Sequence, residues 1–361
     1  MKKPQIAFLL LFSVLLALPV LTMNTEKDVA SEITNAKLAE WPEEDAEPWQ
    51  IDAYLEDRIG FYEPAIHGYM VLNDRLFSKM VHPNYSYGKD GVLFMNFEEE
   101  RVDHEFIQLF ARYLRHVEDT SAARGIPFIY CINPAKSTVY SEYLPEGYHY
   151  SNEFLPTLYE ALEENGVNYI STVELLTEKA KTEAVFNRQF DPGHWNDLGQ
   201  FYATNHLLEN VGTYFPSVGP WDFDDFRIET QTIDVLGLSQ FRIDEEVPKF
   251  HFKGDVEITT SAYDDVVIDE RHRHFQTYRR ADDGDGRPTA LFFHGSYYNK
   301  SADFYQGAFS EIYTVHNYQN LLRFEYFLDR FEPDVLMLET AEYATVSNYF
   351  DMEEMKRQLG E

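Results

Sequence analysis

The stretch that decides the fold runs from residue 290 to residue 339. It opens with Ala290-Leu291-Phe292-Phe293-His294, turns through Gly295-Ser296-Tyr297-Tyr298-Asn299, and resumes at Glu311-Ile312-Tyr313-Thr314-Val315-His316. It closes with Asp334-Val335-Leu336-Met337-Leu338-Glu339. These runs are short, nearly continuous in apolar residues and bounded by polar or glycine-containing turns, the pattern of strands buried on both faces. Between them the apolar spacing predicts a helix around Asp303 to Ala308 and another near Asn320 to Phe331. Strands that alternate with helices join by crossovers, so the expected fold class is α/β, a parallel sheet covered by helices.

Upstream the same rhythm holds. A helix from about Val102 to Arg124 ends at Gly125 and leads to the strand Ile126 to Ile132. A helix near Asn152 to Asn165 precedes the short strand Val167 to Ile170, and a loop at Asp191 leads to a helix from Leu198 to Leu208. Between about Phe215 and Pro288 (215–288) the regularity fails. Phe250-His251-Phe252 and Val256-Glu257-Ile258 predict a short-stranded insertion there, with Asp282-Asp283-Gly284-Asp285-Gly286 as its solvated tip. A calcium reading of that tip lacks the distal glutamate such a loop needs. Tyr87-Gly88-Lys89-Asp90-Gly91-Val92-Leu93-Phe94 reads as a hairpin, and Ile51 to Met80 as a helical lead-in interrupted by Pro64 and Gly68.

The N-terminus bears on compartment. Lys2 and Lys3 precede an uncharged run from Ile6 to Met23, about the roughly 18 to 20 residues that cross a bilayer. No small-x-small cleavage site precedes Asn24, which favours an uncleaved anchor over a removed signal. Basic residues before the span and Glu26, Asp28 and Glu32 after it place the remainder outside the cytoplasm. The expected organisation is a membrane segment over 1–23, a polar tether over 24–48 and a domain over 49–361, whose lead-in occupies 49–85.

Charge and cysteine content narrow the chemistry. Thirty basic against 62 acidic residues give a net charge of −32 over 361 residues, which argues against a nucleic-acid partner. The single cysteine, Cys131, excludes an internal disulfide and a thiolate metal cage, and within Phe128-Ile129-Tyr130-Cys131-Ile132 it reads as a core thiol. His272-Arg273-His274, with Asp264, Asp265 and Asp269 upstream, offers no further ligand spacing, so no metal and no cofactor is expected.

Two blocks carry chemistry. In Asp191-Pro192-Gly193-His194-Trp195 the carboxylate sits three residues before the imidazole, close enough to fix its tautomer through Nδ1 and leave Nε2 as a base. The alternative is an aspartate that caps the following helix and a histidine that only packs. In the second block Ser296 follows Gly295 at the end of an apolar strand, where α/β proteins present nucleophiles beside backbone amides able to receive an oxyanion. Asn299 is either an oxyanion donor or a helix cap. Asn317 and Tyr318 follow the next strand and Lys136 follows the Ile126 to Ile132 strand, so all three are expected at the same sheet edge, where Lys136 is either a contact for an anionic sugar or a surface lysine. Trp195, Tyr297 and Tyr298 are either flat faces for sugar stacking or core.

Asp191 to Gly199, the Gly295-Ser296-Tyr297 turn, the Gly88 to Phe94 hairpin, and Asn133-Pro134-Ala135-Lys136 with Tyr143-Leu144-Pro145 together resemble the SGNH-like O-acetyltransferases, the alginate-acetylation and DHHW-type proteins. The blocks run in that family's order over nearly all of the chain beyond Trp49. The resemblance implies a flavodoxin-like, SGNH-hydrolase-type parallel sheet with helices on both faces and a permuted motif order, the Asp/His block preceding the Ser block. It implies Ser296 as nucleophile, His194 as base and Asp191 as its orienter, in acetyl transfer to a polysaccharide hydroxyl. It also implies a multipass membrane-bound O-acyltransferase as acetyl donor. Two departures stand out: two residues separate Asp191 from His194 where alginate-type members have one, and glycine directly precedes the serine. An acetyl esterase with the same residues, and a catalytically silent glycan-binding component, remain as alternatives.

Overall fold

The structure is a computed structural model that describes residues 3–27, 29–31, 37–42, 48–77, 79–82, 84–95, 102–148, 152–236, 241–268, 275–281, 286–299, 301–316 and 318–361. The His272-Arg273-His274 motif, the acidic tip at 282–285 and Asn317 lie outside the described residues. The chain divides into two compact units, one formed by 1–97 with 233–244 and the other by 98–232 with 245–361.

The first unit begins with α1 (Lys3–Leu21), a helix long and apolar enough to cross a membrane, its best window having a mean hydropathy of 2.3. α2 (Pro48–Arg58) and α3 (Tyr62–Phe77) follow. The lead-in bends at Phe61, whose φ of 64° is left-handed, and not at Pro64 or Gly68 as the sequence suggested. Pro64 falls in the first turn of α3, where a missing N–H removes no helical hydrogen bond. Arg58 is 3% exposed because its guanidinium donates to the carbonyls of Ala39 and Asn24, the latter at 3.2 Å. β1 (Tyr85–Tyr87) and β2 (Leu93–Met95) form the expected antiparallel hairpin, and Met70, Tyr85 and Leu93 make a small core beneath it.

The second unit holds the sheet. α4 (His104–Ala123) is capped by Asp103, which accepts from the Phe106 amide at 3.0 Å, and it buries Phe106, Phe110, Tyr113, Leu114 and Val117 at helical spacing. β3 (Phe128–Asn133) follows, then the short α5 (Lys136–Val139), α6 (Phe154–Glu164), β4 (Tyr169–Ser171), α7 (Val173–Ala180) and α8 (Asp197–Gly212). β5 (Phe226–Leu236) and β6 (Phe241–Phe252) pair as a two-stranded ribbon. β7 (Val256–Ile258) and β8 (Phe275–Arg280) precede β9 (Thr289–His294), α9 (Ser296–Asn299) and β10 (Glu311–His316). The chain ends with α10 (Tyr318–Leu321), α11 (Phe324–Phe331), β11 (Val335–Ala341) and α12 (Met352–Leu359).

Seven strands form the main sheet in the order β4-β3-β11-β9-β10-β8-β7. The pairs from β4 to β10 are parallel, whereas β8 and β7 extend the sheet antiparallel. The region read as a short-stranded insertion therefore contributes two strands to the main sheet, and its ribbon strands β5 and β6 are 11 and 12 residues long. The helix expected at Asp303 to Ala308 does not form. There the Asp303 carboxylate accepts from the Phe252 amide and from Gln306, and Ser301 Oγ accepts the Asp303 amide, so side chains take over bonding that a helix backbone would use. Every residue of β3, β10 and β11 is buried, and large apolar side chains such as Phe292 and Leu336 each contribute about 1.5–3 kcal/mol on leaving water.

The last strand of the chain, β11, lies between β3 and β9. That placement brings the carboxyl ends of β3, β9 and β11 side by side, the position where open parallel sheets bind ligands.

Candidate active site

Three loops meet at that edge. The first carries Asp191 and His194 and reaches α8. Its far end is tied by an isolated bridge between Phe186 and Trp195 and by the Asn196 amide, which donates to the Val185 carbonyl at 3.2 Å. Asn196 is the N-cap of α8, accepting from the Gly199 amide at 3.0 Å, so capping this helix is not the task of Asp191. At Gly199 a side chain has no room: a Cβ would stand 2.1 Å from the Val185 carbonyl oxygen. Gly199→Ala is expected to destabilise the protein by about 2–3 kcal/mol, read as a lowered Tm, because backbone rather than a flexible side chain must give way.

The Asp191 carboxylate is held by its own loop. Oδ1 accepts from the amides of Gly193 at 3.0 Å and His194 at 2.9 Å, and lies 2.9 Å from His194 Nδ1, with Oδ2 at 3.0 Å from the same nitrogen. With Nδ1–H directed at a carboxylate, Nε2 is left as an acceptor, and it stands 3.0 Å from Ser296 Oγ. Ser296 opens α9, directly after β9. Asp191, His194 and Ser296, read from separate blocks of sequence, are thus one hydrogen-bonded chain.

A fourth member was not foreseen. The Tyr343 hydroxyl lies 2.9 Å from Ser296 Oγ, and Ser296 is itself half-buried. Tyr343 follows β11, and the sequence signal that could have found it is the same one that marked Ser296: position just past the carboxyl end of an apolar strand. Tyr343→Phe is expected to slow acylation of Ser296 about two- to tenfold, the worth of one neutral hydrogen bond, without lowering Tm.

Beneath the serine lies Glu339, wholly buried in β11. It accepts from the Gly295 amide at 2.8 Å and from Asn133 Nδ2 at 2.9 Å, and burial pushes its carboxyl up to about 7. Asn133 in turn accepts from Thr172 Oγ1 at 2.7 Å, so one polar chain crosses β9, β11 and β3 under the Gly295-Ser296 turn. Glu342 accepts from the Ala135 amide and from Thr138 Oγ1, fixing the segment after β3. Cys131 is fully buried and burial raises its thiol well above the ordinary value, which agrees with an inert core thiol.

Several expected contact residues have other positions. Trp195, Tyr297 and Tyr298 are buried, with the Trp195 and Tyr297 ring centroids 4.4 Å apart, so they present no flat face to a sugar. Their polar ends tie the site together instead: Trp195 Nε1 donates to the Tyr297 carbonyl, and the Tyr297 hydroxyl is 2.8 Å from the Pro134 carbonyl and 3.2 Å from that of Gly193. Lys136 is 2% exposed and donates to the backbone carbonyls of Asp191 and Arg188, so it is neither a surface lysine nor an open contact for an anionic sugar. Asn299 is exposed at the end of α9, and the helix it was expected to cap is absent. Tyr318 starts α10, and its side chain lies outside what is described. No cluster of metal-ligating side chains occurs among the described residues.

Comparison with known proteins places this arrangement. Residues 86–231 match the family model ALGX, described as the SGNH hydrolase-like domain of acetyltransferase AlgX; the match includes the Asp191 block and ends before Ser296. Among solved structures the chain resembles PatB1 of Bacillus cereus at 13% identity, over 74% of this chain and 99% of that one, with a TM-score of 0.57. It resembles a DHHW family protein from Eubacterium siraeum at 16% identity, over 77% and 97% of the two chains, with a TM-score of 0.56. It also resembles the O-acetyltransferase domain of Pseudomonas putida AlgJ at 18% identity, over 78% and 100%, with a TM-score of 0.52. No curated protein matches the chain. At such identities the structural likenesses speak for the fold alone, an SGNH-like α/β fold, and the sequence match to the SGNH hydrolase-like acetyltransferase domain of the AlgX type spans less than half of the chain.

Proposed function

We propose that this protein is a membrane-tethered, extracytoplasmic O-acetyltransferase that carries acetyl on Ser296 and delivers it to a hydroxyl of an exported or cell-surface polysaccharide. The observation that carries the reading is the hydrogen-bonded chain from the Asp191 carboxylate through His194 to Ser296 Oγ, at the carboxyl edge of the sheet. In the first half-reaction Ser296 Oγ attacks the carbonyl carbon of an acetyl ester while His194 Nε2 takes its proton. The tetrahedral oxyanion collapses, the bond to the donor oxygen breaks, and the imidazolium returns the proton to that leaving oxygen. In the second, a sugar hydroxyl gives its proton to His194 and attacks the acetyl-serine, and Ser296 leaves as the reprotonated alcohol. The Ser296 backbone amide is the first choice of oxyanion donor, being next to the attacking atom, with the exposed Asn299 as the second.

α1 supplies the tether, which would keep the domain close to a multipass membrane-bound O-acyltransferase as the source of acetyl groups outside the cell. An acetyl esterase is the second reading, favoured by the solvent exposure of Tyr343 beside the serine, since water that reaches the acyl-enzyme competes with a sugar. The silent glycan-binding reading called for a serine out of reach of the histidine, and 3.0 Å is within reach.

The test is intact mass of the full chain in detergent micelles after brief exposure to an activated acetyl ester. A single acetyl adduct, absent in Ser296→Ala and discharged faster by added oligosaccharide than by buffer, supports the transferase. Discharge at one rate with or without sugar points to the esterase, and absence of any adduct overturns both enzyme readings.

A further inference from the structure

The Asp191–His194 loop is suspended from outside. Glu245 in β6 receives the amides of Arg188, Gln189 and Phe190, the second at 2.8 Å, and so grips the approach to Asp191. Asn187 Nδ2 donates to the carbonyls of His194 and Trp195 at 3.3 and 3.1 Å. Between these anchors Lys136 reaches up from the first turn after β3, its Nζ 3.1 Å from the Asp191 carbonyl oxygen and 3.3 Å from that of Arg188. Two features set this lysine apart from a structural cross-link. Its Nζ donates to two backbone carbonyls of that loop from a residue that is 2% exposed, a costly place to keep a positive charge. The charges facing it also belong to the site: Asp191 and Glu245 as anions and Arg188 as a cation.

We propose that Lys136 is a positioning residue for the chemistry at Ser296: its ammonium clamps the loop that carries the base. This rests on the reading of Ser296, His194 and Asp191 as the reacting groups. With the side chain truncated, the carbonyls of Asp191 and Arg188 lose their donor and the loop that carries the base is free to shift. Burial brings the Lys136 ammonium down to about 7, with Asp191 and Glu245 holding it up. The charge is thus present below pH 7 and fades above it, whereas the hydrogen bonds of the neutral amine persist.

The experiment compares wild type, Lys136→Met and Lys136→Arg as full chains in detergent, measuring acylation by p-nitrophenyl acetate from pH 5 to 9 alongside thermal unfolding. In Lys136→Met the kcat for acylation is expected to fall about 10- to 100-fold with KM nearly unchanged, the usual cost of a misplaced catalytic group. The deficit relative to wild type is largest below pH 7 and shrinks above it, where the wild-type lysine loses its charge. Lys136→Arg keeps the charge and the donors, so it recovers most of the kcat that Lys136→Met loses below pH 7. A Lys136→Met deficit that is the same from pH 5 to 9, or a kcat in Lys136→Arg more than tenfold below wild type, overturns the proposal, and the arginine variant decides the matter should the methionine variant not fold. Acylation that persists in Ser296→Ala would instead remove the functional reading beneath it.

Discussion

Ser296→Ala is expected to lower the acylation rate constant by about six orders of magnitude, and His194→Ala by nearly as much. The two losses are not additive. Ser296 Oγ is a weak nucleophile until His194 Nε2, 3.0 Å away, accepts its proton, and the imidazole has no proton to accept without the serine, so removing either removes the same transition state. Ser296→Ala/His194→Ala should therefore be no slower than the worse single variant. Burst kinetics with a chromogenic acetyl ester measure all three. A His194→Ala variant within tenfold of wild type, or a double variant whose loss is the product of the two, would mean that serine and histidine do not act as a unit.

Asp191→Asn is expected to cost about 10⁴-fold in kcat while leaving the fold intact. The reason lies in which oxygen the backbone holds. Oδ1 accepts from the Gly193 and His194 amides, so an asparagine at this position keeps its carbonyl oxygen there and turns its amide nitrogen to the place of Oδ2, 3.0 Å from His194 Nδ1. That nitrogen is a donor. It competes with the carbonyl oxygen, 2.9 Å from Nδ1, and favours Nδ1 as acceptor with the proton on Nε2, the tautomer that cannot take a proton from Ser296. Nearly all loop hydrogen bonds survive, so Tm should stay close to wild type while the rate collapses; activity within tenfold of wild type would show that Asp191 serves the loop and not the tautomer.

Much of the site was legible because its residues announce themselves by type and place. Asp191 and His194 stand three apart in a loop before a helix, and Ser296 follows an apolar run, so local spacing was enough to single them out. Other assignments failed where burial, not chemistry, decides the role. A lysine after a strand reads as a surface charge, and only the approach of the Asp191 loop from elsewhere in the chain encloses Lys136. Trp195 and Tyr297 carry no mark that distinguishes a sugar platform from a core contact until their rings are seen against one another. Tyr343 and Glu339 were passed over because nothing in a linear chain says that the strand of residues 335–341 ends beside Ser296.

The sequence by itself determined the α/β class, the alternation of buried strands and helices and the apolar N-terminal helix, and it singled out Asp191, His194 and Ser296, which the fold brings into one hydrogen-bonded chain. These rest on periodicity and local composition, which report that a face is buried and that a turn follows. The tertiary structure alone decided the strand order, the use of residues from the irregular region as sheet strands, and the burial of Lys136 and Glu339 around the serine. Those features arise from contacts between segments far apart in the chain, where hydrophobic burial selects which strands become neighbours, and no local pattern encodes the partner.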